Sequence, residues 1–533
     1  MAVDGRRDTR DKLIDLTRAQ DHLPTPNPNP AAGARIPPRA DDGKARLKKI
    51  GVVLGGVMVL ALAALAGAAF WFGLEAEKTY QHMIERFSTG GAQVTTTRYE
   101  RGWLASRAET VVRFPGVPFE ITAAHDISHG PIPFARLPDG VGGLRPVQAA
   151  VKTRFSLAAK GQDERLKFLS SLPALDADIT VDLDGAGRVR TELPPLTKPA
   201  AGGGRLEWRG LNGEITFDRE WKRFKTEIHA PGLSFSAPPP AAGGGQDPGG
   251  RPAVRGIPGG VTFEQLAVRA DLHEGVGGYL LGETTVTLDS ISAGPLLRLQ
   301  GLQFSSVARA AGNDINLELT YRLDALGLAD QRHGPALLAV EVRRLDAAAI
   351  GKFEKEMNAI YRQGLPEEQA SLMLMGKMLG LVGELSKKVP ELEVTKLSVK
   401  TAMGEITGKA KIVLDGSKAD IGENPMLVLT AVSGDMELIM PAGVLKPLLA
   451  PLIMQDIQAY RQGGRLTAEE IGRLDPETLA RVVDQALPLY LSRHDLTKYL
   501  IHDNGQYRIV ATLRQGQILV NNQPWRVRPA QFP

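Results

Sequence analysis

The sequence predicts an α+β protein in which a single N-terminal transmembrane helix precedes a large, twisted, mainly antiparallel β-sheet with helices packed on its C-terminal half. Three observations lead to this prediction. They are an uncharged run at residues 50–74, apolar–polar alternation over much of residues 95–342, and helical spacing of apolar residues in the last third of the chain. Alternation with turn residues between the runs is typical of antiparallel strands with one covered face.

Residues 50–74 form a run of 25 residues without a charge. At about 1.5 Å rise per residue, a helix of this length crosses the roughly 30 Å hydrocarbon core of a bilayer. Four basic side chains directly precede the run, which places the N-terminus in the cytoplasm. A cleaved signal peptide is the alternative, because Ala66-Gly67-Ala68 resembles a cleavage site. Signal peptides, however, have short leading segments and apolar cores of roughly 7–15 residues, so an uncleaved signal anchor is favoured.

The charge distribution and the lack of cysteine narrow the class of protein. The net charge of +4 lies entirely in residues 1–49, and the rest of the chain is balanced. A balanced exported part argues against nucleic-acid binding, which needs a concentrated basic face. Without cysteine there is no disulfide and no thiolate metal site, which suggests a bacterial envelope protein. We therefore expect a single-pass inner-membrane protein with its bulk in the periplasm.

The N-terminal part of the chain is expected to lack a core. Residues 1–49 are charged and then proline-rich, so they cannot bury enough apolar area to offset their ordering entropy. We predict a disordered cytoplasmic tail. A passive tail is favoured over a Pro-rich docking segment.

Residues 75–343 are predicted to form a strand-rich periplasmic region after a short helix over residues 75–87. The clearest strand is at residues 315–324, where apolar and polar side chains alternate without a break. A Pro/Gly-rich loop is expected at residues 231–260, because prolines lack the ladder donor and glycines add backbone entropy.

Residues 344–533 are expected to be a mixed α/β periplasmic region. Helical periodicity predicts helices at about 345–388 and 442–490, and alternation predicts strands at about 392–440 and 499–521. Since strands precede and follow the helices, we expect the helices to pack on the sheet.

Several residues define these helices more closely. Asp346 is a candidate N-cap, and Pro488 is expected to end the last helix. Met373, Met375 and Met378 are interpreted as core-filling residues, with an adaptable lipid or peptide surface as the alternative.

Two short motifs resemble a known family. The first is Tyr99-Glu100-Arg101-Gly102-Trp103-Leu104-Ala105-Ser106, soon after the apolar run, and the second is His129-Gly130-Pro131. They are similar to the Y-x-R-G-W-F-x-S signature and the His-Gly-Pro element of the YdgA-like bacterial proteins, whose function is unknown. This resemblance implies a periplasmic, inner-membrane-anchored protein of Gram-negative type, and it transfers no catalytic residue.

The motif residues are interpreted as structural. The family-motif residues are Tyr99, Arg101, Gly102, Trp103, Ser106, His129, Gly130 and Pro131. A glycine beside a tryptophan suits a bend where the indole packs on backbone, and we expect Tyr99 and Trp103 to be buried near the membrane-proximal end. A corner that holds the first strands is favoured over a binding site.

The sequence offers no convincing catalytic, cofactor-binding or metal-binding residues. His-Asp doublets occur at residues 125–126, 494–495 and 502–503, but a polar strand face explains His125 and His129 more simply than a metal does. No nucleophile elbow, zinc-binding helix motif or glycine-rich nucleotide loop is present. The prediction is therefore a non-enzymatic protein without cofactors.

The predicted function is that of an envelope protein that binds or transfers lipid along an apolar β-sheet groove. The strand-rich layout with one anchor resembles, in outline, AsmA-like and lipopolysaccharide-transport proteins. The main alternative is a periplasmic scaffold that binds other envelope proteins through sheet edges and helix faces. An uncharacterised hydrolase is the third possibility. The shape of the sheet discriminates, since lipid binding needs an open apolar surface.

Overall fold

A computed structural model describes most of the chain, which divides into two compact units, Met1–Leu62 and Ala63–Pro533. The described residues are 42–87, 92–114, 117–131, 146–159, 174–200, 204–236, 260–295, 297–328, 331–363, 365, 367–417, 421, 424, 427–461, 476–493 and 496–525.

Helix α1 (Asp42–Phe87) starts in the first unit and ends in the second. It begins eight residues before the predicted span and includes all of residues 75–87, so the predicted helix after the apolar run is confirmed. The proline-rich part of the predicted tail lies in residues 1–41, outside the described residues. Among the helices that the structure describes, none was found with both the length and the hydropathy of a membrane span.

The second unit is built on one sheet, to which all 24 strands in the described residues belong. The first twelve strands are β1 Gln93–Arg101, β2 Ala105–Arg113, β3 Phe119–His129, β4 Val147–Ala159, β5 Leu175–Asp182, β6 Gly187–Leu193, β7 Leu196–Ala200, β8 Gly204–Trp208, β9 Leu211–Phe217, β10 Arg223–Ser236, β11 Val261–Glu274 and β12 Leu280–Ala293. The others are β13 Leu297–Ala311, β14 Asp314–Leu323, β15 Ala325–Leu328, β16 Gln331–His333, β17 Ala336–Asp346, β18 Glu391–Thr401, β19 Gly404–Leu414, β20 Val432–Pro441, β21 Ile501–Asp503, β22 Gln506–Arg514, β23 Gln517–Val520 and β24 Gln523–Pro524.

The sheet is a long meander. Strand β1 pairs with β2, and the ladder continues through β3, β4, β5, β6, β9, β10, β11, β12, β13, β14, β17, β18, β19, β20, β22, β23 and β24. The short strands β8, β15 and β21 extend the ladders of β10, β13 and β22. Every pairing among these described strands is antiparallel, so the predicted antiparallel sheet is confirmed.

One face of this sheet carries a row of directly paired residues without a charge. Directly opposed residues in an antiparallel pair point to the same face, so the row can be followed from strand to strand. We call it the uncharged row, and its members are Tyr99, Ala108, His125, Thr153, Ala177, Thr191, Gly213, Ile228, Val268, Val286, Phe304, Tyr321, Leu338, Leu397, Gly408, Leu438 and Ile509.

On the opposite face, nine neighbouring strands each contribute one charged residue to a second row of directly paired residues. We call this the charged row, and its members are Glu100, Arg107, Asp126, Lys152, Asp178, Arg190, Glu214, Glu227 and Arg269. The signs mostly alternate, and neighbours such as Arg107 and Asp126 lie 3.3 Å apart. The two faces of the sheet are therefore chemically opposite.

After α1, the α-helices that the structure describes all lie in the C-terminal part of the chain, from residue 347 onward. They are α2 Ala347–Arg362, α3 Glu367–Ser386, α4 Val428–Ala431, α5 Ala442–Arg461 and α6 Pro476–Arg493, with short 3-10 helices at Val276–Gly278 and Thr497–Tyr499. Helix α2 begins as predicted, because the carboxylate of Asp346 accepts a hydrogen bond from the Ala349 N–H at 2.8 Å. Its first residue, Ala347, forms a core cluster with Leu281 and Ile315.

Two of the sequence expectations about proline are wrong in detail. The residues from Pro231 to Ser236, assigned to the loop at 231–260, belong to β10. Proline fits there because neither it nor Gln265 has a ladder partner, and Gln265 adopts a φ of 53°. Helix α6 also continues past Pro488 to Arg493. Residues 237–259, which belong to that loop, lie outside the described residues. So do residues 462–475, which belong to the predicted helical region at 442–490.

The expectation that the α3 methionines fill core is also wrong. Met373, Met375 and Met378 are 41%, 58% and 56% exposed. Helix α3 packs against α2, with Lys377 lying 3.4 Å from Glu356, and leaves these methionines largely accessible to solvent.

The core cluster under α2 allows a direct test of the fold. Replacing Ile315, which is 6% exposed, by alanine removes packing against Leu281 and Ala347 and should lower the free energy of unfolding by about 2–5 kcal/mol. Leu328→Ala is the control, since Leu328 is 45% exposed and its replacement should change stability by less than about 0.5 kcal/mol. Urea denaturation followed by amide exchange in β14 measures both. Equal effects of the two variants would contradict this core assignment.

Candidate functional site

The candidate site lies on the face that holds the uncharged row. A first cavity of about 510 Å³ lies between the end of helix α1 and strands β1 to β5. Its walls are almost entirely apolar, and the side chains that form them include Met83, Val94, Ile127, Val151, Phe155 and Ile179. We call it the helix-side cavity.

A second cavity of about 570 Å³ adjoins the first. Phe155 lines both cavities, and the remaining walls of the second come from strands β3 to β8 and β10. They include Leu157, Leu175, Leu206 and Trp208. We call it the strand-side cavity. The two cavities are neighbouring depressions on one apolar surface.

A chain of polar groups crosses the helix-side cavity. The Tyr80 hydroxyl lies 2.6 Å from Thr110 Oγ1, which lies 3.1 Å from His125 Nε2. His125 Nδ1 lies 2.9 Å from Thr153 Oγ1. Burial lowers the pKa of His125, so the imidazole is neutral, with one ring nitrogen donating and the other accepting. Both nitrogens already have partners, so this chain fastens helix α1 to the strands and offers no free acid or base.

The first family motif lies at the turn between β1 and β2, against helix α1. Arg101 Nη1 lies 3.0 Å from a carboxylate oxygen of Glu77, and its guanidinium carbon lies 5.5 Å from the centre of the Phe70 ring. The Phe70 ring centre is in turn 5.7 Å from that of Trp103. The motif thus attaches the turn to the helix by one ion pair and two aromatic contacts.

The second motif lies beside the first. His129 is 2% exposed, and its Nδ1–H donates to the Trp103 carbonyl oxygen at 3.3 Å, so Nε2 accepts from the Ser106 hydroxyl at 2.9 Å. Burial lowers the pKa of His129, consistent with this neutral form. Its ring packs on Gly73 of helix α1, where a Cβ would lie 2.6 Å from the ring. The neutral imidazole of His129 therefore holds helix α1 against strands β2 and β3. We call the contacts of His129 with Gly73, Trp103 and Ser106 the lock.

Glycines let the backbone close tightly around this lock. A Cβ on Gly130 would lie 1.8 Å from the Val147 carbonyl oxygen, and one on Gly102 would lie 2.6 Å from the Ala105 carbonyl oxygen. Both glycines therefore permit backbone contacts that any side chain would prevent. The neighbouring Pro131 accepts a hydrogen bond from the Val147 N–H at 2.9 Å.

The structure corrects two expectations about these residues. Tyr99 is half-buried against Tyr80, but Trp103 is 67% exposed, because it lies at the tip of the turn. His125 and His129 do not lie on a polar strand face. They lie on the same face of β3 as Ala123 and Ile127, which are both buried, and this shared parity is evident in the sequence. The hydrogen-bond partners Tyr80, Thr110 and Thr153 were missed, because only strand pairing brings them together.

The described residues contain no cluster of three or more His, Cys, Asp or Glu side chains placed to hold a metal ion. In the first His-Asp doublet the two side chains point to opposite faces, and Asp126 pairs with Arg107. His494 and Asp495 lie outside the described residues. In β21, His502 packs edge-on against Tyr507.

The charged face of the sheet holds a carboxylate whose titration is strongly perturbed. Glu391 lies 2.7 Å from Arg344 and 3.2 Å from Lys411, and these hydrogen bonds lower its pKa to about 2. Arg343 lies 3.4 Å from the same carboxylate. Because the group is surrounded by cations on a face of paired charges, this is a structural ion-pair network.

Fold and site together define a class of protein: a single antiparallel sheet with one uncharged and one charged face, whose first strands are locked to an N-terminal helix. The chain belongs to a family described as bacterial protein of unknown function (DUF945), whose model matches residues 47–528. A comparison with curated proteins gave no match.

The contact between His129 and Gly73 predicts a contrast between two glycines of helix α1. Gly73→Ala should loosen the helix, because the new Cβ would lie 2.6 Å from the His129 ring. Gly67→Ala is the matched control, since nothing lies within 4 Å of a Cβ there, and the change should raise helix stability by up to about 1 kcal/mol. Amide exchange over residues 74–87 measures the attachment. Unchanged exchange in Gly73→Ala would contradict the lock.

The buried histidines predict a dependence of stability on pH. The folded-state pKa values of His125 and His129 are lowered by burial, whereas unfolded histidine titrates near about 6.5. The unfolded state therefore binds more protons, and stability falls as the pH drops below about 6.5.

The measurement is the urea midpoint between pH 7.5 and 5.5, a range above the titration of ordinary carboxylates. His125→Gln should decrease the slope of stability against pH by up to one proton, or about 1.4 kcal/mol per pH unit. The control His502→Gln changes an exposed histidine and should keep the wild-type slope. An identical slope in His125→Gln would show that this histidine titrates normally.

Proposed function

We propose that this protein is a non-enzymatic, inner-membrane-anchored periplasmic protein of the bacterial cell envelope that binds acyl lipid on the apolar face of its sheet. The observation that carries the proposal is the uncharged row. At roughly 4.8 Å between strands, this row extends about 80 Å along the sheet. A surface of that length suits binding or transfer of extended acyl chains.

The two cavities supply places where acyl chains would settle. Volumes of about 510 and 570 Å³ lie within the range of roughly 300–1,000 Å³ that is usual for small-molecule sites. Their apolar walls offer few polar partners, so the ligand that fits them is itself apolar. The shared wall at Phe155 makes it possible for one chain to extend from one cavity into the other.

Farther along the sheet, large apolar side chains on the same face stay accessible. They include Tyr321, Leu392, Ile412, Met436 and Ile518, each of which is more than a third exposed. Their cross-strand partners place all of them on the side of the uncharged row. Contiguous exposed apolar surface in a soluble region is typical of a ligand or partner site. Its extent across many strands supports a lipid in preference to a compact ligand.

The anchor belongs to the proposal as well. It is supported by the uncharged run at residues 50–74, by the four basic residues before it and by the balanced charge of the remaining chain. We further propose that the chain is YdgA-like, since the residues of both signature motifs meet at one place in the fold, where they lock α1 to β2 and β3.

The direct test is photo-crosslinking in intact bacterial cells. A photoreactive phenylalanine analogue in place of Phe155 should give lipid adducts detectable by mass spectrometry, because Phe155 lines both cavities. The same analogue in place of Arg154, on the opposite face of β4, is the control and should give none. Reproducible protein adducts at position 155 without lipid would favour the interaction scaffold and overturn the proposal.

A second test uses two adjacent residues of β13. Phe304→Asp places a charge in the uncharged row and should reduce co-purified phospholipid several-fold, whereas Gln303→Asp places the same charge on the other face and should leave it unchanged. Lipid extraction and mass spectrometry of the purified full chain measure both. Equal lipid content in the two variants would contradict acyl binding on this face.

A further inference from the structure

Measured along the axis of helix α1, the turn between β1 and β2 lies beside the C-terminal end of the apolar run at residues 50–74. Strand β1 runs back along helix α1, since Tyr80 meets Thr96, and farther along Glu77 meets Arg101. At the end of the strand Trp103 packs on Phe70. Phe70 lies four residues inside the run at 50–74, which is about 6 Å along a helix.

This level is marked by exposed apolar side chains from two elements. On helix α1, Phe70 and Trp71 are 38% and 57% exposed, and at the turn, Trp103 and Leu104 are 67% and 48% exposed. We call these four residues the aromatic patch. The Trp103 position is unusual, because the Ser106 and His129 side chains directly behind the turn are almost fully buried.

We propose that the tip of the β1–β2 turn, Trp103 and Leu104, inserts into the interfacial layer of the lipid bilayer beside helix α1. The inference rests on the proposed function, because it requires residues 50–74 to lie in the membrane. With those residues embedded, the contact between Phe70 and Trp103 brings the tip to the membrane surface or just below it. Tryptophan favours this layer, since its ring is apolar and its N–H is polar.

The surrounding charges fit a lipid interface. The Arg101 guanidinium lies over Phe70 and pairs with Glu77, so one cation sits at the level where lipid phosphates lie. The turn is also held rigidly, because the backbone N–H of His129 donates to the Leu104 carbonyl oxygen at 2.9 Å. A fixed apolar tip inserts without the entropy loss of ordering a flexible loop.

Insertion gives the apolar face a fixed relation to the membrane. Ala76 and Tyr80 line the helix-side cavity, and they lie only two and six residues beyond the apolar run. At about 1.5 Å per residue the cavity therefore begins within roughly 10 Å of the membrane surface. An acyl chain that leaves the outer leaflet of the inner membrane would meet this cavity first.

The test uses the absence of cysteine from the chain, which makes every introduced cysteine a unique labelling position. The full-length protein is placed in nanodiscs of phosphatidylethanolamine and phosphatidylglycerol, with a nitroxide spin label at Leu104→Cys or Trp103→Cys. Collision rates with oxygen, which concentrates in lipid, and with a water-soluble nickel complex report the depth. Both labels should favour oxygen several-fold over a control label at Ser236→Cys, at the exposed end of β10, since the ladders place that end of the strands opposite to the β1–β2 turn.

A label at Met58→Cys, within the apolar run, separates the two possible failures. If the Met58 label lies in lipid while the labels at 103 and 104 behave like the Ser236 control, the insertion is overturned and the anchor survives. If the Met58 label is also in water, the anchor itself is wrong, and the insertion fails with it. The tip positions are exposed, so labelling there leaves the buried lock behind the turn intact.

Discussion

The constraint on which the structure depends is the period of two in its strands, kept in register from one strand to the next apart from a few local bulges. Because side chains alternate between faces, a shift of one residue at any ladder would bring the charged row onto the apolar side. The paired charges of the charged row specify this register over the first strands, since in each of these ladders the row places a cation opposite an anion. The uncharged row is the complement of that pattern.

The second constraint is the attachment of helix α1 to the first strands. Three of its contacts are of different kinds: the neutral histidine on Gly73, the ion pair between Arg101 and Glu77, and the hydroxyl of Tyr80 on Thr110. Together they fix both the distance and the level of the helix along β1. The residues of the two sequence motifs are thus explained by their structural role, and the helix-side cavity lies between the helix and the strands that they hold together.

The class of fold was readable from local pattern, whereas the site was not. Alternation at residues 315–324 predicts β14 correctly, and the N-cap at Asp346 is where the sequence placed it. The partners of His125 are Thr110 and Thr153, which lie 15 and 28 residues away in the sequence on neighbouring strands. No local pattern therefore predicts them. Trp103 was expected to be buried because a large ring usually is, but the turn geometry, set by pairing across Gly102, leaves it at the surface.

The meander also limits how such a chain can change its length. Each strand reverses the direction of its predecessor, so one additional strand would move everything downstream to the other end of the sheet. A hairpin adds two reversals and keeps the C-terminal helices at the same end, and it lengthens the uncharged face of the sheet by about 10 Å. Growth or shortening by whole hairpins would therefore change the length of the uncharged face while the strands that hold helix α1 stay unchanged.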